Sequence, residues 1–64
     1  MANEHNLLLT VEDAARRLAI GRSHLYELLR RGEIASIRLG RSRRVPVASL
    51  ERFVEGQLEG QGDD

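Results

Sequence analysis

The chain has 64 residues, ten arginines, ten acidic residues and a formal net charge of zero at pH 7. A chain of this length forms one domain at most and buries only about 60% of the surface that its unfolded form exposes, which leaves little room for a catalytic pocket. The absence of cysteine excludes a disulfide scaffold, thiol catalysis and a cysteine-ligated metal, and it is typical of proteins from a reducing cytoplasm.

The N-terminal segment, MANEHNLLLT, has neither the basic region nor the long apolar run of a signal peptide. No apolar run anywhere in the chain reaches transmembrane length. We therefore expect a soluble, cytoplasmic protein without a membrane partner. Residues 1–6 are expected to form a flexible N-terminus before a single domain that spans residues 7–58.

The first predicted helix begins after Thr10. Threonine caps a helix N-terminus well, and the acidic residues that follow it suit the first turn, with Asp13 at the third helical position. Apolar residues recur at helical spacing on one side, namely Val11, Ala14, Ala15 and Leu18. The pattern predicts a short helix with one apolar stripe.

A second helical pattern runs from residue 22 to residue 31 and ends at Gly32. Its apolar side consists of Leu25, Leu28 and Leu29. The opposite side is polar and mostly basic, and it includes Arg22, Ser23, Tyr26, Glu27 and Arg30. Two short helices about three residues apart, with Gly21 in the turn, are typical of a helix-turn-helix.

The segment IRLGRSRRVPV, residues 37–47, predicts a β-hairpin with an arginine-rich tip. Apolar and basic residues alternate with a period of two on both sides of a turn, predicted at residues 40–42. An isolated hairpin is barely stable in water, so one face must pack on the helices. We expect that face to contain Ile37, Leu39, Val45 and Val47, and the arginines Arg38, Arg41, Arg43 and Arg44 to remain outside. Pro46 places the second strand at a sheet edge or at its own end.

After the proline, apolar residues recur again at helical spacing, at Val47, Leu50, Phe53, Val54 and Leu58. This pattern predicts a closing helix that covers the core. Residues 59–64, EGQGDD, are acidic, rich in glycine and free of apolar side chains, and we expect them to be a disordered tail.

The zero net charge conceals a strong asymmetry along the chain. Residues 1–15 contain three acidic residues and no basic one, and residues 45–64 contain five acidic residues and one arginine. Residues 16–44, in contrast, contain nine arginines and only two glutamates. A soluble surface normally mixes both signs, so a single-signed basic centre favours an anionic partner over a merely solvated face.

The position of the charges favours duplex DNA as that partner. A cationic helix beside a cationic hairpin supplies a reader for the major groove and a clamp for the backbone or the minor groove. Arg22 or Arg30 can fork onto guanine, and Ser23 and Tyr26 can contact phosphate or a thymine methyl group. Glu27 can accept a hydrogen bond from cytosine or orient an arginine. Two isolated histidines without cysteine indicate no metal site, and we expect neither a cofactor, a small-molecule substrate nor enzymatic activity.

Four runs together resemble the excisionase-family DNA-binding domain: LTVEDAARRL at residues 9–18, RSHLYELLRRGEI at residues 22–34, IRLGR at residues 37–41 and RVP at residues 44–46. Members of this family are small winged helix-turn-helix proteins, similar to the DNA-binding part of MerR regulators. The resemblance covers residues 7–54. Members often have a capping serine where this chain has Gly21, so we expect a weaker cap on the second helix.

The resemblance implies that the second helix is a recognition helix in the major groove and that the hairpin is a wing on the minor groove or on phosphates. Arg41 and Arg43 would lie at the tip of the wing. The implied function is a recombination directionality factor that binds near attachment sites and assists an integrase. The implied partners are double-stranded DNA, the integrase and further copies of the protein bound cooperatively along the DNA.

The fold expected from these patterns is mainly α with a small β-hairpin, in the order helix, turn, recognition helix, two-stranded wing and C-terminal helix. A small AlpA-like or MerR-like transcriptional regulator would need the same module and remains an alternative function. A protein-interaction adaptor that docks its basic centre on an acidic partner is a second alternative.

Overall fold

The computed structural model describes residues 7–61. The elements follow in the order β1 (Leu8–Leu9), α1 (Val11–Leu18), α2 (Arg22–Arg30), β2 (Ile37–Leu39), β3 (Ser42–Pro46) and α3 (Val47–Gln61). This arrangement confirms the predicted winged helix-turn-helix, with β2 and β3 as the wing. The expectations for residues 1–6 and 62–64 lie outside the described residues.

Helix α1 begins and ends with defined caps. The backbone N–H of Asp13 donates to the hydroxyl oxygen of Thr10 at 3.0 Å, as the sequence predicts. The helix ends at Ala19, which has left-handed backbone angles of φ 59° and ψ 41°. The next N–H, that of Ile20, donates to the carbonyl of Ala15 at 3.0 Å, which completes a Schellman-type end. The residue of the turn with left-handed backbone angles is therefore Ala19 and not Gly21.

Ala19→Gly should stabilise the protein. A left-handed conformation costs a residue with a Cβ about 1–2 kcal/mol, and the gain is partly offset by the greater freedom of glycine in the unfolded chain. We expect the free energy of unfolding to rise by about 0.5–1 kcal/mol, measured by urea denaturation. Gly21→Ala is the matched comparison, because Gly21 has an ordinary negative φ of −73°. An Ala19→Gly protein less stable than the parent would contradict this account of the turn.

Helix α2 has the predicted weak start and a strong end. Gly21 is its N-cap and provides no side-chain hydrogen bond. At the other end Gly32 has a φ of +77°, and the N–H of Glu33 donates to the carbonyl of Leu28 at 2.9 Å. The predicted apolar side is buried, with Leu25 fully inaccessible to solvent.

The sheet has three strands in the order β1-β3-β2, all antiparallel. Strand β1 was not predicted, and its Leu9 pairs with Val45 at the centre of the core. Strand β3 is consequently the central strand of the sheet. Pro46 is its last residue, and the chain resumes its hydrogen bonding at once, because the N–H of Val47 donates to the carbonyl of Leu7 at 2.9 Å.

The predicted burial of the wing is wrong for strand β2. Ile37 pairs with Arg44 and Leu39 with Ser42, so both apolar residues lie on the face opposite to Val45. They are 42% and 51% exposed, respectively, whereas Val45 is completely buried.

The length of the turn explains this error. Only residues 40 and 41 lie between the two wing strands, whereas the prediction also placed Ser42 in the turn. A three-residue turn would have paired Leu39 with Arg43 and would have brought Ile37 to the same face as Val45. Gly40 has a φ of +60° and Arg41 is not among the residues with positive φ, which is the pattern of a two-residue type II′ turn. Removing one residue from the turn reverses the face of every side chain on β2.

Helix α3 covers the core only with its first half. Leu50 is buried and Phe53 packs against the core, but Val54 and Leu58 are 41% and 67% exposed. The helix continues to Gln61 and so includes the first three residues of the segment 59–64, for which the sequence predicts a disordered tail. Adding residues to a helix that already exists is easy, because only nucleation is costly, and this offsets the low helix propensity of the glycine at position 60.

The core lies between the helices and the inner face of the sheet. Its buried members are Leu9, Val11, Ala14, Ala15, Leu25, Leu28, Leu29, Ile34, Val45 and Leu50. Among the described residues, no buried side-chain polar atom lacks a hydrogen-bond partner. None of the helices in residues 7–61 combines the length and apolar character needed to cross a membrane.

Candidate nucleic-acid interface

Helix α2 and the wing meet at an open cleft of about 390 Å³. Four of the predicted recognition-helix residues line it, together with one wing residue: Ser23, Tyr26, Glu27, Arg30 and Arg43. The fold therefore joins two segments of the sequence into one polar surface that contains two arginines and one glutamate. The other residues predicted for this surface do not line the cleft, namely Arg22, Arg38, Arg41 and Arg44.

Arg22 lies beside this cleft and is held from two sides. Its guanidinium carbon is 5.8 Å from the centroid of the Tyr26 ring, within range of a cation–π interaction. Its Nη1 is 3.5 Å from a carboxylate oxygen of Glu12 on α1. Glu12 was predicted only as a residue of the first turn of α1, because its contact with Arg22 depends on how the two helices pack.

Arg30 and Glu27 form an ion pair on the exposed face of α2. An Nη atom of Arg30 donates to both carboxylate oxygens of Glu27 at 2.6 Å. The hydrogen bond from Arg30 lowers the pKa of Glu27, and the same bond raises the pKa of Arg30. Both groups are thus charged at neutral pH. Glu27 therefore contacts an arginine directly in the protein without DNA.

The wing arginines are placed on both faces of the hairpin and at its turn. Arg38 lies directly opposite Arg43 on the two paired strands, and Arg41 lies in the turn. Arg44 is half-buried on the other face, opposite Ile37. Like charges that face each other across two strands destabilise a hairpin. The arrangement of Arg38 and Arg43 is therefore unfavourable for folding unless an anion lies between or beside them.

The two halves of the surface differ in how their charges are neutralised. The helix arginines Arg22, Arg30 and Arg31 form ion pairs with Glu12, Glu27 and Glu33, respectively. In residues 7–61, no carboxylate forms an ion pair with any of the four wing arginines. The wing thus presents guanidinium groups whose donors are available to an external anion. The described part of the chain contains no group of three or more histidine, aspartate or glutamate residues placed to hold a metal ion.

A helix that follows a short turn and lies beside a basic antiparallel ribbon defines a winged helix-turn-helix protein. The family described as "Helix-turn-helix domain" matches residues 8–58. The chain is 45% identical over 49 residues to a protein named "Probable excisionase" from Saccharopolyspora erythraea, a match that covers 77% of this chain and 50% of that protein. It is 43% identical over 51 residues to a protein named "Excisionase" from Streptomyces ambofaciens, with 80% of this chain and 82% of that protein covered.

The chain belongs to the excisionase-type helix-turn-helix family. It spans about half the length of the Saccharopolyspora relative but most of the Streptomyces one. No solved structure matches the chain.

Proposed function

We propose that this protein is a sequence-specific, double-stranded-DNA-binding excisionase that acts in the cytoplasm. It binds near attachment sites, bends the DNA and directs an integrase to excise a phage or an integrative element. The observation that carries the proposal is the cleft between α2 and the wing, lined by Arg30 and Arg43, on a wing whose four arginines have no carboxylate partner within the described residues. The names of the two relatives support the recombination role.

In this proposal α2 reads bases in the major groove. Arg30 donates two hydrogen bonds to the O6 and N7 acceptors of a guanine. Its contact with Glu27 orients the guanidinium group of Arg30 for this role. Arg22 is the second candidate for a base, steadied by Tyr26 and Glu12. Ser23 and Tyr26 contact phosphate or a thymine methyl group from the same face.

The wing binds the backbone beside or across the adjacent minor groove. Arg41 and Arg43 contact phosphates, and the repulsion between Arg43 and Arg38 is relieved when a phosphate lies near them. Arg38 and Arg44 add to the positive potential of the wing. These contacts carry little sequence information, but they fix the orientation of α2 in its groove.

The first test is the salt dependence of binding to duplex DNA. With about five phosphates neutralised, the logarithm of the affinity should fall with the logarithm of the salt concentration with a slope near −4 to −5. The measurement is a fluorescence-anisotropy titration at several salt concentrations, on fragments from the neighbourhood of the gene. A slope near zero, or no binding at low salt, would contradict the proposal and favour the protein-interaction adaptor.

A second experiment separates the excisionase from the transcriptional regulator. An integrase encoded beside this gene would be incubated with a plasmid that carries both recombined attachment sites, with and without the protein. Excision that depends on the protein supports the proposal. Binding to a promoter together with unchanged excision would favour the AlpA-like or MerR-like regulator.

A further inference from the structure

The face of the wing that points away from the core carries two apolar side chains on the edge strand β2 and an arginine on β3. We call the side chains of Ile37, Leu39, Ser42 and Arg44 the outer wing face, because the strand pairing places them on the side opposite to Val45. Ile37 and Leu39 are 42% and 51% exposed and lie two residues apart on one strand, at a spacing of about 6–7 Å. Their exposure follows from the two-residue turn.

A single exposed leucine on a surface is ordinary, but the position of this pair is not. Leu39 is the last residue before the turn, so it is the apolar side chain closest to the tip of the wing. Only Gly40 separates it from Arg41 in the turn, and it lies on the same face of the wing as Arg44 on the adjacent strand. The proposed phosphate contacts of Arg41 would therefore bring Leu39 to the surface of the DNA.

The charges around the pair indicate what covers it. No acidic residue occurs between Glu33 and Glu51, so every charged side chain of the wing itself is an arginine. A second copy that docked the same face would place Arg44 against Arg44, which is electrostatically unfavourable. The minor groove combines a phosphate rim with an interior of deoxyribose and base edges, and it is complementary to the outer wing face in both respects.

We propose that Leu39 is an apolar wedge that enters the minor groove and deforms the DNA. Ile37 packs on the deoxyribose groups that line the groove beside it. The inference rests on the proposed function and assigns its DNA bending to one side chain. Proteins that insert apolar side chains into the minor groove partly unstack a base step and kink the duplex by about 20–90°. Leu39 supplies the wedge, and Arg41 and Arg43 hold the backbone on either side of it.

The test compares the bend angle produced by the parent protein with that produced by Leu39→Ala. The angle is measured by resonance energy transfer between dyes at the two ends of a bound duplex. We expect Leu39→Ala to lose roughly 20° or more of the bend. The salt slope should not change, because no charge is removed. Leu39→Met, which keeps a flexible apolar side chain, should restore most of the bend.

Leu58→Ala is the matched control, since it makes the same truncation at a leucine in the second half of α3 that is 67% exposed. It should bend DNA like the parent, and circular dichroism verifies that all variants are folded. An unchanged bend in Leu39→Ala overturns the wedge. A loss of cooperativity between adjacent sites, with the bend intact, overturns it in favour of a second copy on the outer wing face. A parent protein that binds no duplex DNA overturns the proposed function as well, so the two failures are distinguishable.

Discussion

Leu25→Ala is expected to lower the free energy of unfolding more than any substitution at an exposed leucine. Leu25 has no solvent-accessible surface and lies in the core on the inner side of α2. Truncating a buried leucine to alanine costs about 2–5 kcal/mol, because it removes buried apolar surface and leaves a cavity. A chain of 64 residues has a total stability of roughly 3–10 kcal/mol at about 0.05–0.15 kcal/mol per residue. The substitution therefore removes a large fraction of the stability.

The effect is measured by urea denaturation followed by circular dichroism at 222 nm, the usual helix signal. Leu58→Ala is the control, since it removes the same atoms from a side chain that is 67% exposed, and it should change the free energy of unfolding by less than about 0.5 kcal/mol. Equal losses in the two variants would mean that α2 does not pack on the core as described.

The helices were predictable because their signals are local. The cap at Thr10, the leucine spacing of α2 and the stop at Gly32 each depend on residues within one or two turns of the chain. The left-handed residue of the turn could not be predicted in the same way. The sequence placed Gly21 in the turn, but the residue with left-handed backbone angles is Ala19, two residues earlier.

The sheet was less predictable because its pairing depends on distant residues. Leu8 and Leu9 have no alternating pattern of their own, and they form a strand only because β3 pairs with them. The alternation on each wing strand was visible in the sequence, but the relative phase of the two strands depends on the number of residues in the turn. The prediction made the turn one residue too long and therefore assigned Ile37 and Leu39 to the buried face, whereas the structure places them on the exposed one.

The composition of the candidate surface was visible in the sequence, but its electrostatic state was not. The basic centre and the exposed face of α2 follow from residue spacing. The structure adds that Arg22 and Arg30 are paired with carboxylates while Arg38 directly faces Arg43. These contacts distinguish arginines paired with a carboxylate from arginines that lack an anionic partner among the described residues.

Replacing Arg41 and Arg43 together with glutamine should abolish most of the affinity for every DNA sequence alike. Each charge-assisted hydrogen bond is worth about 1.5–3 kcal/mol, so two lost phosphate contacts correspond to a loss of roughly 100-fold or more. The salt slope should become about 2 units shallower, since about 0.9 unit is lost per phosphate contact. Affinities for the best site and for unrelated duplexes, measured at three salt concentrations, give both quantities.

Two variants show whether the surface is divided into a wing that holds the backbone and a helix that reads bases. Replacing Arg41 and Arg43 with lysine keeps both charges, so the salt slope should stay near that of the parent. Arg30→Ala should instead lose about 1–3 kcal/mol of discrimination at one base pair, while its affinity for unrelated DNA changes much less. If Arg30→Ala and the double glutamine variant weakened all sequences by the same factor, Arg30 would be a phosphate contact, and base recognition would have to be assigned to Arg22 and its neighbours on α2.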